Sequence, residues 1–393
     1  MYDVIIAGAG PAGGTAAYFL GEAGRRVLVL EKEILPRYKA CGGGLSIRFL
    51  ETTFPFSFES VIERDVKAIT YAFGGRTVTV PLRRRSIRMV MRDRFDAHLL
   101  AQAKAEVRTG AAIRKVAELP DRVTVETNHG DALEGRYLIG ADGANSVVAR
   151  SAGLRRGKTL AAAIEAEAPA PPDIMRHFAD GPVFIFGEIY PGYLWIFPKA
   201  DHLSVGIAAL HPKHGELQAT LRRVMARYGI SLENIPLRGH PIPIYTRREP
   251  ISSARVLLAG DAAGLADPFS GEGIRLAITS GRLAAEAILA GRAERYERAV
   301  FWRIGLNHTF GLAVAALFYN LQDLCLTLGA PNPYTTEALL DLLSGRASYP
   351  AVMLRAIGTV PIYALTEGVK RTAGLLDGEP RRKRVRAAIR SVQ

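Results

Sequence analysis

Asp3-Val4-Ile5-Ile6-Ala7-Gly8-Ala9-Gly10-Pro11-Ala12-Gly13 is the stretch that decides the fold. Residues 2–7 are apolar and β-prone, as a buried parallel strand requires. Gly8 permits a tight turn, Gly10 lets the backbone approach a pyrophosphate, and Gly13 lets helix and strand pack closely. The segment through about Gly24 is helical by spacing, with Ala16, Ala17, Phe19, Leu20 and Ala23 as its apolar stripe. Its N-terminus presents free N–H groups and the positive dipole end to a phosphate. Arg26-Val27-Leu28-Val29-Leu30 predicts the second strand, and Glu31 at its end is placed to accept hydrogen bonds from ribose hydroxyls. This unit alone leaves FAD and NAD open.

Two later segments return to the same site. Tyr137-Leu138-Ile139-Gly140-Ala141-Asp142 predicts a strand that ends on Asp142-Gly143-Ala144-Asn145-Ser146. Arg255–Ala259 predicts another, ending on Gly260-Asp261-Ala262-Ala263-Gly264 and then Pro268-Phe269-Ser270-Gly271-Glu272-Gly273-Ile274. A carboxylate at Asp261 can accept from a ribityl hydroxyl. Backbone N–H groups at Gly273 and Ile274 open a helix and can face the anionic edge of a reduced flavin. A nicotinamide has no polyol to bind here, so three returns to one site point to FAD.

The chain has 393 residues, long enough for two or three domains. No stretch of about 18 uninterrupted apolar residues appears, and no basic region precedes an apolar run at the N-terminus. The expected location is cytoplasmic, with peripheral attachment at the inner face of the membrane as the alternative. Two cysteines, Cys41 and Cys325, exclude a disulfide scaffold, their spacing gives no support for a pair, and no metal-binding pattern is present. Fifty-one basic residues against 38 acidic ones give +13. The excess gathers in Arg83-Arg84-Arg85 and in Arg381-Arg382-Lys383-Arg384 with Arg386 and Arg390. No nucleic-acid signature accompanies these clusters, so an anionic membrane surface or a plain solvated tail is the expectation.

The fold class predicted is α/β. A Rossmann-type FAD-binding domain is expected from residues 1–60, 92–154 and 251–292. An inserted antiparallel-sheet substrate domain takes 61–91 and 155–250, and 293–393 form a helical C-terminal region with a basic tail. Val66–Phe73 and Arg76–Leu82 read as paired strands around Gly74-Gly75. Arg92 opens a helix with Phe95, Leu99, Leu100 and Ala103 inward, followed by strands at Ile113–Val116 and Arg122–Thr127. Val183–Ile189, Tyr193–Phe197 and Leu203–Ala209 read as antiparallel strands. Ile274 to Ala290 reads as a helix, and polar residues interrupt Gly305–Gly329, which predicts an amphipathic or core helix.

Together, the first turn, Arg92 before Phe95-Asp96, Asp142-Gly143 and the Gly260–Ile274 string resemble the flavoprotein class that includes para-hydroxybenzoate hydroxylase. Pro36-Arg37-Tyr38-Lys39-Ala40 before Cys41-Gly42-Gly43-Gly44, and Tyr193-Leu194-Trp195-Ile196-Phe197-Pro198-Lys199, resemble its geranylgeranyl reductase branch. The resemblance implies FAD and reduction of isolated double bonds in a prenyl chain on a lipid, quinone, chlorophyll or diphosphate. It also implies cofactor roles for Ala12, Glu31, Cys41 to Gly44, Arg92, Asp261, Gly273 and Ile274, with Ile113 as a backbone contact. Lys39-Ala40 departs from the Lys-Pro of the plant-type enzymes.

Three glycines at 42–44 suit a loop passing close to a planar ring. Tyr193, Trp195 and Phe197 alternate, so they share one strand face and can wall an apolar channel or fill an ordinary core. Lys199 is either a turn residue or the partner of an anionic headgroup. Cys41, Tyr193 and Trp195 are the candidate catalytic residues. The proton that must accompany hydride is left open among Cys41, Tyr193 and a flavin-bound water. Electrons are expected from NAD(P)H docking over the flavin or from reduced ferredoxin. The competing functions are an FAD-dependent monooxygenase or halogenase of the same class, and a flavin-free isoprenoid carrier.

Overall fold

Val4, Ile5 and Ile6 are fully buried because strands pair on both sides of Tyr2–Ala7 and the helix Pro11–Glu22 crosses it. The computed structural model describes residues 1–82 and 87–376. Arg83-Arg84-Arg85 and the basic residues from Arg381 lie outside the described residues. In the first sheet Glu106–Arg108, Val27–Leu30, Tyr2–Ala7, Ala132–Gly140 and Val256–Leu258 run parallel. Val123–Thr127 and Ile113–Glu118 extend the sheet antiparallel from the first half of Ala132–Gly140. The chain leaves Tyr2–Ala7 toward one side and returns on the other. Its carboxyl end is therefore a switch point, where open α/β sheets bind ligands. Gly281 brings the Ile274–Leu289 helix against the first turn: a Cβ there would stand 2.2 Å from the Ala12 carbonyl oxygen.

The second sheet follows the order Arg238–Ile244, Thr159–Pro169, His202–Leu210, Gly192–Pro198, Val183–Ile185, Ala68–Phe73, Arg76–Pro81. One face, built from Ile164, Ala166, Leu194, Ile196, Val205 and Ile207, is closed by the helix Glu216–Arg227 through Leu217, Leu221, Val224 and Met225. The opposite face looks toward the first sheet. Gly44–Ser46, Ile87–Val90 and Ile62–Asp65 make a small third sheet between the two.

Two elements differ from the sequence expectation, and a third, inside the expected antiparallel sheet, runs against its own propensity. Thr159–Pro169, the longest strand, reads Thr-Leu-Ala-Ala-Ala-Ile-Glu-Ala-Glu-Ala-Pro, an alanine-rich run with more helix than strand propensity. Pairing on both edges overrides that preference. Glu216–Arg227 is a helix inside a region expected to be strand-rich, and Glu106–Arg108 adds an edge strand that carries no apolar pattern.

After Ile274–Leu289 the described chain is helical. Tyr296–Val300 passes through a π-helical turn, Phe301–Gly305, into Leu306–Asn320, and Gln322–Gly329, Pro333–Leu343 and Tyr349–Leu376 follow. His308 is buried and hydrogen-bonds the Leu265 carbonyl at 3.1 Å. The Tyr349 ring fills the space left by Gly311, and its hydroxyl donates to Asp267 Oδ1 at 2.7 Å. These buried contacts fix the C-terminal helices to the loop after Gly260-Asp261.

Candidate active site

One cavity of about 1290 Å³ runs from the carboxyl end of Tyr2–Ala7, beneath the second sheet, to the C-terminal helices. Small-molecule pockets span roughly 300–1,000 Å³, so this volume suits a dinucleotide with an extended apolar chain beside it. Of the expected cofactor residues, Gly8, Gly10, Ala12, Glu31, Cys41, Gly42, Gly44, Arg92, Ile113, Asp142, Asp261, Gly273 and Ile274 all line it. Gly13 stands behind the turn, where a Cβ would lie 1.9 Å from the Gly8 carbonyl oxygen.

The phosphate end fits FAD. Gly8 has a left-handed φ of +95°, and a Cβ there would stand 2.4 Å from the Ala141 oxygen. At Gly10 a Cβ would meet only the Arg37 guanidinium, at 3.7 Å, so the backbone is open from the cavity side. No side chain caps the helix that starts at Pro11. Its N–H groups and Arg37 thus converge where a diphosphate would lie. Glu31 accepts the Ala9 N–H at 2.8 Å and the Glu33 N–H at 3.1 Å, which fixes its carboxylate at the strand end. Asp142 caps Val147–Ser151 through the Val147 and Val148 N–H groups, and its other oxygen is buried without a partner. Burial pushes its carboxyl above the usual range.

Farther along, the Asp261 carboxylate lies 3.6 Å from Lys39 Nζ and 3.8 Å from His240 Nε2. Burial alone would raise its pKa, but Lys39, His240 and Arg92 outweigh it and hold the group at about 2. Gly273 and Ile274 begin a helix with no side-chain cap. Arg92 is buried and forks onto Asp96 at 2.9 Å through both Nε and a terminal nitrogen. Arg37 joins the same carboxylate at 3.0 Å. Burial opposes the Arg92 charge, yet Asp96 and the adjacent Cys41 sulfur raise its pKa further.

Tyr193, Trp195 and Phe197 lie on the cavity face of their strand, with ring centroids 6.1 and 6.3 Å apart in sequence order. Gly206 on the neighbouring strand makes room for the indole: a Cβ there would come within 2.1 Å of it. The loop Cys41 to Gly44 runs directly beneath these rings. A Cβ on Gly42 would stand 2.7 Å from the Phe197 ring, and one on Gly43, at φ +68°, would stand 2.1 Å from the Val90 oxygen. The neighbours that demand glycine at 42 and 43 are thus the chain's own side chains and backbone. At Gly44 the space is open to ordinary contact. Cys41 and Cys325 are both free thiols.

Lys199 is not a headgroup ligand. It is fully buried, and its ammonium donates to the Gly42 and Val90 carbonyls at 2.7 and 2.8 Å. Burial lowers its pKa. Both bonds hold the glycine loop against the small third sheet, so the side chain points away from the cavity. Tyr193 also differs from a free acid, because burial raises its pKa and its hydroxyl donates to the Ser270 carbonyl at 2.7 Å.

Sequence patterns did not single out Tyr38, Lys39, His240 or Glu165 as site residues, although all four line the cavity. The one signal for Glu165 was the period-two alternation of Ala163, Glu165 and Glu167 against Ile164, Ala166 and Ala168. Beyond the flavin end the walls become apolar, with Tyr71, Phe184, Phe186, Phe318, Leu324 and Leu340 among them.

The family described as FAD binding domain matches residues 1–293. The chain is 33% identical over 303 residues to the geranylgeranyl diphosphate reductase of Rhodobacter capsulatus, covering 74% of this chain and 75% of that protein. It is also 33% identical over 316 residues to the chloroplastic geranylgeranyl diphosphate reductase of rice, Oryza sativa subsp. japonica, covering 74% and 67%. The crystal structure of a geranylgeranyl bacteriochlorophyll reductase-like protein from Thermoplasma acidophilum superposes with a TM-score of 0.72 at 25% identity, over 93% of this chain and 98% of that one.

Proposed function

The chain belongs to the FAD binding domain family and, within it, to the geranylgeranyl reductases, and on that footing we propose that it saturates C=C bonds of a geranylgeranyl-type prenyl chain. It is an FAD-dependent oxidoreductase. The observation that carries the substrate reading is the continuity of the cavity: one space joins the phosphate turn to an aromatic-roofed, apolar channel. Bound and reduced, FAD supplies the hydride equivalent. The protein's part is to hold the diphosphate at Gly10 and Arg37, engage the ribityl chain at Asp261, and keep water from the reacting carbons with Tyr193, Trp195 and Phe197. The electron donor we assign to the NAD(P)H or reduced ferredoxin class.

The same reading extends to a lipid surface. Trp302, Leu306 and Phe310 are exposed at helical spacing, and Leu317, Leu321, Leu324, Leu328, Leu354 and Ile357 are exposed farther along the C-terminal region. Leu317, Leu321, Leu324, Leu328 and Ile357 line the cavity as well. Its mouth therefore opens through an apolar surface larger than scattered exposed residues would make. Ala293–Asn320 is long and apolar enough to cross a membrane. Its opposite side, however, is fixed to the protein through His308 and Gly311, which favours lying on the bilayer over spanning it.

The test is anaerobic reduction of the holoenzyme followed by addition of geranylgeranyl diphosphate, a geranylgeranylated lipid or menaquinone. Reoxidation of the flavin with a two-hydrogen mass gain per double bond is expected. Strict dependence on oxygen, with a hydroxylated or halogenated product, would establish the oxygen-activating alternative instead.

A further inference from the structure

Glu165 stands in the same cross-strand row as Gly206 and Trp195, so its side chain emerges on the cavity face beside the indole. It is 1% exposed. One carboxyl oxygen accepts the Tyr38 hydroxyl at 2.6 Å, and the other is buried without a partner. Trp195 Nε1, also buried and unpartnered, sits 3.4 Å from the position of a Cβ on Gly42. An unsatisfied acceptor and an unsatisfied donor therefore face one chamber above the glycine loop. Each costs about 1–3 kcal/mol if nothing meets it.

Glu165 is also connected to solvent. The Tyr38 hydroxyl is 3.4 Å from Glu167 Oε1, Glu167 Oε2 is 3.1 Å from His202 Nε2, and His202 Nδ1 is 2.7 Å from Asp201. Asp201 is 86% exposed. A line of proton-carrying groups thus runs from the chamber to bulk water. Asp142 Oδ1 and His240 Nε2 are also buried without a hydrogen bond, but Asp142 belongs to the phosphate end and His240 faces Asp261 at 3.8 Å. The remaining acids and donors near the chamber are engaged. Tyr193 serves Ser270, Lys199 serves two carbonyls, Cys41 lies against Arg92, Asp142 caps a helix, and Glu272 pairs with Arg275 at 3.0 Å.

We propose that Glu165 is the proton donor in alkene reduction, recharged from solvent through Tyr38, Glu167 and His202. The inference rests on the prenyl-reductase reading above. One new C–H bond forms with the hydride pair that reduced flavin supplies. The alkene π pair forms the other with the Glu165 proton as its O–H bond breaks. The alkene gains two electrons at the expense of the flavin, and Glu165 is left as a carboxylate. Tyr38 then passes it a proton and takes one from Glu167, which His202 and water replenish.

The surroundings suit this work. Burial first, then the charge of Glu167, raise the Glu165 pKa to about 7, against the lowering effects of Tyr38, the Cys41 N–H and Lys199. The guanidinium of Arg238 covers the Tyr38 ring from the adjoining strand at 5.5 Å. His202, its pKa lowered by burial but raised on balance by Glu167 and Asp201, completes the charged neighbours. An acid poised near the working pH gives up and regains its proton readily.

Glu165→Gln is the decisive variant. FAD affinity and dithionite reduction should match the parent, while single-turnover oxidation by a geranylgeranyl substrate falls about 100-fold or more. The decline of the parent rate above about pH 7 should vanish. Independently of turnover, infrared titration of the parent should show a protonated-carboxyl band lost around pH 7 and missing from the variant. Tyr38→Phe removes a bond that lowers the pKa, so the band should titrate at higher pH and steady-state turnover should fall. A Glu165→Gln enzyme with parental rate and pH profile, an unchanged infrared band, or loss of FAD in that variant would each overturn the assignment. A parent enzyme whose reduced flavin no prenyl alkene oxidises would overturn the reductase reading itself.

Discussion

In the proposed site, Asp261 ties cofactor retention to pH. Its carboxyl is held at about 2 against an ordinary 3.8, so the stabilisation it gains from Lys39 and His240 is complete above about pH 4 and is lost as pH falls through 2. Asp261→Ala should release FAD on gel filtration and flatten the acid limb of urea-unfolding stability over that window. Unchanged retention would count against its contact with the cofactor. Gly42→Ala drives a methyl to 2.7 Å from the Phe197 ring and should lower stability by about 1–3 kcal/mol, read by urea denaturation, with loss of turnover. Gly10 and Gly13 were legible in the sequence because a helix start and a close approach to Gly8 are local. Gly8 was legible through its left-handed turn, although the oxygen that a Cβ there would strike belongs to distant Ala141. Glu165 was not. A glutamate among alanines looks like a solvated edge until Gly206 and Trp195, from strands forty and thirty residues on, are paired beside it. Of the two readings of Lys199, the turn holds through its N–H to the His202 carbonyl, but only the fold places its ammonium behind the glycine loop.

At the scale of elements, the parallel strands other than Glu106–Arg108 were readable because each brings an apolar run to a glycine or an acid. The strand Thr159–Pro169 was not, since its composition argues for a helix and only its partners decide. The C-terminal helices were readable in kind but not in attachment. Asp267 collects the Phe269 and Ser270 N–H groups, the Ser270 hydroxyl and the Tyr349 hydroxyl, the last from 82 residues away. Tyr349 thereby couples the final described helix to the loop that carries Gly273. Tyr349→Phe deletes one hydrogen bond to a buried carboxylate and should cost about 1.5–3 kcal/mol. Differential scanning calorimetry should register the loss, and FAD should dissociate faster from the variant. A variant as stable as its parent would show that the remaining donors suffice for Asp267.

For the whole molecule, the proposed meeting place with a lipid-borne substrate is the exposed side of the C-terminal helices. Trp302 and Phe310 are exposed and lie away from the cavity, so Trp302→Ser with Phe310→Ser should weaken cosedimentation with anionic vesicles several-fold. Turnover of detergent-dispersed substrate should stay at the parental level. Equal vesicle binding by parent and variant would place the contact elsewhere. The position of the cavity mouth has a further kinetic consequence. A prenyl chain crossing water forfeits ~0.8 kcal/mol per CH₂, whereas one sliding between Leu321, Leu324, Leu328 and Ile357 stays in apolar surroundings throughout. An entrance of that kind samples a two-dimensional reservoir. On that proposal its velocity should follow the mole fraction of prenyl compound in the interface, and diluting that interface with inert lipid should slow the enzyme even at constant bulk concentration.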